Sequence, residues 1–250
     1  MQRHLSSLVA AKLVLCALAG TLPMAAYAEF RFSTMPSPVL TSKIWSDVVW
    51  YGVNKRSTGI PRNANGLKKT STSEVRSPIG ASNSLDTGQD FATARGLEQL
   101  VATYPQEDQP RMVQVYKKLI LAFNDTVPRA YGLPKNNLAT AYTAVLTGSY
   151  AAYTHQPFPD DAVQPLYRQM ERLMRSNPKL DQASMNDKAT LYQVWVGLGM
   201  FMLAAQAELA QHPDPQQQAQ LQKAGADSLR TLLGVEPDKV RFTANGMKFL

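Results

Sequence analysis

The chain has 250 residues, 26 Lys plus Arg against 19 Asp plus Glu, a formal net charge of +7, 44% hydrophobic residues and one Cys. A single Cys excludes a disulfide scaffold and a zinc-finger array, and the hydrophobic content excludes a wholly disordered chain.

Residues 1–28 have the layout of a secretory signal. Arg3 and Lys12 give a basic start, Leu13 to Leu22 a short apolar run, and Ala26-Tyr27-Ala28 the small-x-small site that a signal peptidase reads. The apolar run is shorter than the about 20 residues a membrane span needs, and it stops at Pro23. Cleavage near Ala28 is therefore expected, giving a periplasmic or secreted mature protein with no transmembrane helix. Cys16 follows Leu15, a poor match to the small residue that precedes a lipidated Cys, so it is expected to leave with the signal. The mature chain then carries no thiol, which suits an oxidising compartment.

Residues 29–53 form a short amphipathic segment. Ile44, Trp45, Val48, Val49 and Val53 recur at roughly helical spacing behind Ser42, as in a helix that docks back on the body or rests on an envelope surface. Residues 54–87 read as a flexible, disordered basic linker, with Gly59, Pro61, Gly66, Pro78 and Gly80 set among Asn, Ser and Thr. Between Arg31 and Gly80 stand eight basic residues against Asp47 and Glu74, whereas from Ala81 to Leu250 the signs balance at 16 each. The positive charge thus belongs to a leader, and Lys55, Arg56, Arg62, Lys68, Lys69 and Arg76 are its candidates for contact with an anionic surface. Specific nucleic-acid recognition is not expected, because the basic segment carries few aromatics and no nucleic-acid-binding motif.

Beyond the linker, residues 88–250 read as one helical domain. A first helix spans about Asp90 to Thr103, with Phe91, Ala94, Leu97, Leu100 and Val101 on one stripe and Tyr104-Pro105 as its stop. A second starts near Pro110 and carries Met112, Val115, Tyr116, Leu119, Ile120 and Phe123. A third is capped by Asn136 or Asn137 and aligns Leu138, Tyr142, Val145, Leu146, Ser149 and Tyr153. A fourth runs from about Asp161 to Ser176, its apolar stripe of Val163, Leu166, Tyr167, Met170, Leu173 and Met174 opposite Arg168, Glu171, Arg172 and Arg175.

The fifth helix has no charge between Lys188 and Glu208 and no polar side chain from Val194 to Ala205. Thr190, Gln193 and Gln206 interrupt it and leave an apolar run below spanning length, so it is expected at the centre of the bundle, with Gly148, Gly197 and Gly199 permitting close backbone approach. A sixth helix runs from Asp214, a cap before Pro215, to Leu233, where Gly234 closes it. Lys239 to Thr243 is the one candidate strand. Helix starts near residues 90, 137 and 187 are evenly spaced, but their sequences do not match, which argues against a repeat. The expected fold is all-α: a single bundle-like domain of about six helices around a central apolar helix.

Catalytic spacings are not found. His155 and His212, the two His residues after the signal, have no His, Cys or carboxylate at metal-ligand spacing, and each fits a helix C-terminus. No nucleophile elbow, phosphate loop or His-Glu-x-x-His occurs. Asp160-Asp161 reads as a cap of the fourth helix. No catalytic residue, metal or cofactor is assigned. One polar constellation stands out as a candidate ligand site: Tyr150 and Tyr153 on the third helix with Arg168 and Arg172 on the next, offering aromatic walls and guanidinium donors to an anionic or sugar-like ligand. The alternative is that the tyrosines are core rim and the arginines a solvated face.

The order Leu97 to Tyr104-Pro105, Gly132-Leu133-Pro134, Asn137-x-Ala139-x-Ala141, Gly148-Ser149-Tyr150-x-x-Tyr153, Lys188 with Leu191-Tyr192, and Gly234-Val235-x-Pro237 resembles an uncharacterised family of exported all-helical bacterial proteins, a domain of unknown function. The resemblance covers roughly Asp90 to Gly246 and implies a helical fold and an exported location, with no reaction. The chain departs from the family pattern at Asn137, where an acidic residue is usual, and at Gln193, where a Glu is usual. Three functions are compatible with these features: a non-catalytic interaction or scaffold module of the bacterial envelope, with an envelope protein as partner; anionic-surface binding through the basic leader; and an envelope hydrolase using Tyr150, Tyr153, Arg168, Glu171 or Arg172.

Overall fold

The computed structural model describes residues 85–88 and 95–250. The signal segment, the Ile44 to Val53 segment and the six leader residues Lys55, Arg56, Arg62, Lys68, Lys69 and Arg76 lie outside the described residues. The element order is α1 (Gly96–Val101), α2 (Gln109–Tyr131), α3 (Leu138–Thr154), α4 (Asp160–Arg175), α5 (Pro178–Gln182), α6 (Met185–Gln211), α7 (Pro215–Leu233), a 3₁₀ turn (Pro237–Lys239), β1 (Val240–Thr243) and β2 (Gly246–Phe249). The fold is all-α with one small hairpin.

Most helix ends follow from local chemistry. Asn137 caps α3, its side-chain oxygen accepting from the backbone N–H groups of Ala139 (2.9 Å) and Thr140 (3.3 Å). Asp214 does the same for α7 with Gln216 and Gln217. Ser184 begins α6, where its hydroxyl accepts from the Asp187 N–H at 3.1 Å and donates to the Asp187 carboxylate at 2.7 Å. Gly132 and Gly234 end α2 and α7 in the left-handed conformation, at φ 64° and 68°, where a side chain would be strained. Helix α2 continues past Phe123 to Tyr131, because Val127 and Tyr131 extend its apolar stripe against the core. Neither Asp160 nor Asp161 caps α4. Pro159 holds the N-cap position, and Asp160 instead accepts a 2.8 Å hydrogen bond from the Tyr131 hydroxyl, which ties α4 to the end of α2.

The apolar helix α6 lies at the centre, and α3 shares that position with it. Along α6 nearly every residue from Lys188 to Ala205 is buried, and α3 is buried from Leu138 to Ser149 on all sides. They run side by side in the same direction: Tyr142 meets Trp195 edge-to-face at 5.2 Å, Gly148 meets Gly199, and His155 meets Gln206. The crossing is a backbone-to-backbone contact, since a Cβ added at Gly148 would lie 2.2 Å from the Gly199 carbonyl oxygen. The sequence of α3 hides this burial because it is rich in Ala, Gly and Thr. Thr143 and Thr147 donate to carbonyls of their own helix, to Ala139 at 2.8 Å and Ala144 at 2.9 Å, and so enter the core without unpaired hydroxyls.

Helix α7 closes on α3 through small residues and a few buried hydrogen bonds. Ser149 and Ser228 pair hydroxyl to hydroxyl at 2.7 Å, and the Tyr142 hydroxyl donates to the Leu232 carbonyl at 2.6 Å. The C-terminal hairpin pairs Val240 with Phe249, Arg241 with Lys248, Phe242 with Met247 and Thr243 with Gly246. It docks on α4 through one amide. The side chain of Gln169 donates to the Met247 carbonyl at 3.0 Å and accepts from the Met247 N–H at 2.8 Å, taking the place of a third strand.

Candidate functional site

The buried polar residues Thr87, Asn137, Lys188 and Gln193 lie at the end of the bundle where α1, α3 and α6 begin. Here the chain entering the body is held by its backbone. The Leu138 N–H donates to the Leu85 carbonyl and the Thr87 N–H to the Asn136 carbonyl, both at 2.9 Å, so Leu85 and Thr87 are buried parts of the body. Two of the polar interruptions of α6 have their roles here. The Thr190 hydroxyl accepts from the Arg95 N–H at 3.2 Å, and the Gln193 amide oxygen from the Leu97 N–H at 3.3 Å. These two side chains cap α1 from a neighbouring helix, satisfying donors that a helix start leaves open. Gly96 lets them approach, since a Cβ there would lie 2.5 Å from the Gln193 Cβ. The third interruption, Gln206, meets the Nδ1 of His155 at 3.1 Å, and His155 ends α3 with φ 55°.

Next to this latch, Tyr192 donates to the Asn124 side-chain oxygen. Burial pushes the Tyr192 phenol well above its ordinary value, and a hydrogen bond from the Asn136 backbone opposes the shift. One turn earlier on α6, Lys188 is buried, at 5% exposure, and its ammonium has no hydrogen-bond or ion-pair partner among the described residues. A second pair of phenols lies between α1 and α2, with the Tyr104 and Tyr116 oxygens 3.2 Å apart. Burial pushes Tyr104 up to about 12, its bond to Tyr116 acting in the opposite direction, and burial, followed by its contact with Tyr104, raises Tyr116 well above its ordinary value. These phenols stay protonated at neutral pH and act as hydrogen-bonding struts. Among the described residues no group of His, Cys, Asp and Glu is arranged to hold a metal ion.

The Tyr and Arg constellation is placed as follows. Tyr150 belongs to a cluster of three rings, with Phe158 at 5.6 Å and Phe242 at 5.0 Å, each contact edge-to-face. Tyr153 is half-buried beside α7, where its carbonyl accepts from the Gln222 side chain at 3.1 Å. Arg168 and Arg172 are exposed on α4, and among the described residues no hydrogen bond joins either to Tyr150 or Tyr153. Glu171 is taken up by Arg175 at 3.0 Å and by the Tyr167 phenol, which burial, followed by the Glu171 charge, pushes up to about 12. The latch is not legible as a unit in the sequence, although the polar residues that break the apolar run of α6 mark where it lies.

The fold and this polar end define an all-helical body with a tied-in N-terminal entry and a small C-terminal hairpin. The chain belongs to the Family of unknown function (DUF6683), which it matches over residues 63–250. No curated protein and no solved structure matches it. Among the described residues no helix is long and apolar enough to cross a membrane.

Proposed function

We propose that the protein is an exported, non-catalytic interaction module of the bacterial envelope, a charge-balanced helical body carrying a basic leader. The observation that carries this reading is the latch. The side chains of Thr190 and Gln193 accept from the backbone N–H groups of Arg95 and Leu97, and the backbone at Leu85 and Thr87 pairs with Leu138 and Asn136, so this end of the body holds the chain that enters it. On this reading the partner is an envelope protein. It is tested by crosslinking the full chain in envelope extracts, with and without substitutions on the body surface. A discrete crosslinked species lost on body substitution supports it, and the absence of any such species counts against it.

The charge distribution favours a second reading, in which the leader residues Lys55, Arg56, Arg62, Lys68, Lys69 and Arg76 contact an anionic envelope surface. Binding should then weaken as salt rises and disappear when these residues are replaced by Gln, and binding that persists at high salt contradicts it. The hydrolase reading has less support, because Tyr150 packs against Phe158 and Phe242 and Glu171 is paired with Arg175.

A further inference from the structure

The starts of α3 and α6 bring together two donors that no group among the described residues takes up. Gly148 and Gly199 touch where these helices cross, and Asn137 and Lys188 each stand eleven residues earlier in the chain. That is about three turns of 3.6 residues, so each lies on the same stripe of its helix as its glycine. Tyr142 and Trp195, between these levels, are still in contact, which sets Asn137 and Lys188 level with one another on the seam. Helical side chains lean toward the helix start, so the Lys188 stem runs back toward this end of the bundle. Lys188 is 5% exposed and Asn137 2%. The Asn137 amide oxygen is spent on the Ala139 and Thr140 N–H groups, which leaves its amide nitrogen as a donor. Among the described residues neither this nitrogen nor the Lys188 ammonium has a hydrogen bond or ion pair. The neighbouring carboxylates are engaged elsewhere: Asp86, bridged to Asn137 through its backbone, accepts from the Gly88 N–H at 2.9 Å, and Asp187 accepts from the Ser184 hydroxyl at 2.7 Å. The Thr140 hydroxyl, one turn into α3, is also sealed without a partner among the described residues. The Asn136 carbonyl four residues before it, the usual acceptor for a helical Thr, is taken by the N–H and hydroxyl of Thr87 at 2.9 and 3.0 Å.

We propose that this end of the α3–α6 seam binds a carboxylate, one oxygen accepting from the Lys188 ammonium and the other from the Asn137 amide nitrogen. Two donors cannot bond each other, and burying them unpaired is costly. A cation in the first turns of a helix also opposes the helix dipole, and here two helices point their positive ends the same way. An anion between the donors relieves all three. A single ammonium neutralises one negative charge, which matches a carboxylate, whereas a phosphate ester at about −1.5 to −2 is left undercompensated. Both side chains are nearly enclosed, so the ligand offers a slender end: a small organic acid or the C-terminus of a peptide. The site is separate from the leader and does not depend on the envelope reading.

The test follows the Asn137 side-chain amide signal by proton–nitrogen NMR of the full chain, assigned by its loss in Asn137→Ser, which keeps a capping hydroxyl. Sodium acetate is titrated against sodium chloride at equal ionic strength. A saturating shift with acetate and none with chloride is expected. Lys188→Met, which keeps the stem and removes the charge, should abolish it. Asn137→Ser should weaken acetate binding at least about tenfold, as for one hydrogen bond to a charged group, read from the Thr140 backbone amide. N-acetyl-dialanine binding more tightly than acetate assigns the site to a peptide terminus, and weaker binding assigns it to a small acid. Inorganic phosphate binding more tightly than acetate overturns the carboxylate assignment. A shift that survives Lys188→Met in a variant with unchanged circular dichroism overturns the site. The absence of a saturating shift in the native chain overturns it whether or not the variants fold.

Discussion

Gly148→Ala tests the packing of the two central helices, because helix propensity and packing give effects of opposite sign. At an open helix position the substitution stabilises by about 1 kcal/mol. At Gly148 the new Cβ would lie 2.2 Å from the Gly199 oxygen and 2.8 Å from the Gly199 Cα. Carbon requires about 3.5 Å, so the two helices must part by about 1 Å, and a gap of that size forfeits up to about half of each dispersion contact along the seam. The clashing atoms are backbone, and no rotamer change relieves them. Overpacking of this kind costs about 1–3 kcal/mol, and the rigidity of both partners places this site at or above the upper end. After the propensity gain, a net loss of about 2 kcal/mol remains, equivalent to a fall of about 4–8 °C in Tm for a domain of this size. Urea unfolding followed by far-UV circular dichroism measures it. An unchanged or raised midpoint would refute the close crossing of α3 and α6.

Gln193→Leu removes the acceptor for the Leu97 N–H. An unsatisfied buried donor costs about 1–3 kcal/mol, so α1 should exchange its amides faster and proteolysis near residue 95 should rise while the rest of the body keeps its protection. Uniform protection across α1 would contradict the latch. Gln169→Leu deletes both bonds to Met247 and should free the hairpin at a cost of about 1–3 kcal/mol, read as faster exchange at Met247; unchanged exchange there argues against the docking. At high pH the buried phenols should drive unfolding. An unfolded Tyr ionises near 10, whereas folded Tyr104 is pushed up to about 12 and Tyr116 is raised well above its ordinary value, so the folded state retains protons that the unfolded state releases. The stabilisation is complete below pH of about 10 and is lost as pH rises through the folded values. A urea midpoint constant from neutral pH to about 12 would contradict the burial of these hydroxyls.

Much of the helix plan is legible because it is local. The Asp214 cap, Pro215 and the Gly234 stop delimit α7 within a few residues of chain, and the charge-free run of α6 marks its burial. What escapes depends on distant partners. Burial of α3 on all sides is disguised by threonines whose hydroxyls fold back on Ala139 and Ala144. Strand β2 carries no alternation long enough to read, and its outer edge is satisfied by Gln169, a partner 78 residues away in the chain. The same holds for the candidate site. The spacing of Tyr150 and Tyr153 places them near one another on α3, but Phe158 and Phe242 decide where Tyr150 packs, and the rings of that cluster come from three separate segments. Thr190 and Gln193 look like blemishes in an apolar helix until α1 is brought to them.

The claim that this is an exported interaction module is tested most directly by crosslinking in living bacterial cells, with mass spectrometry of the recovered chain and fractionation of the envelope. The account predicts a chain that begins at Glu29, recovered outside the cytoplasm and crosslinked through body or leader residues to a discrete envelope component. An uncleaved chain confined to the cytoplasm, or a cleaved chain with no crosslinked species, would contradict it.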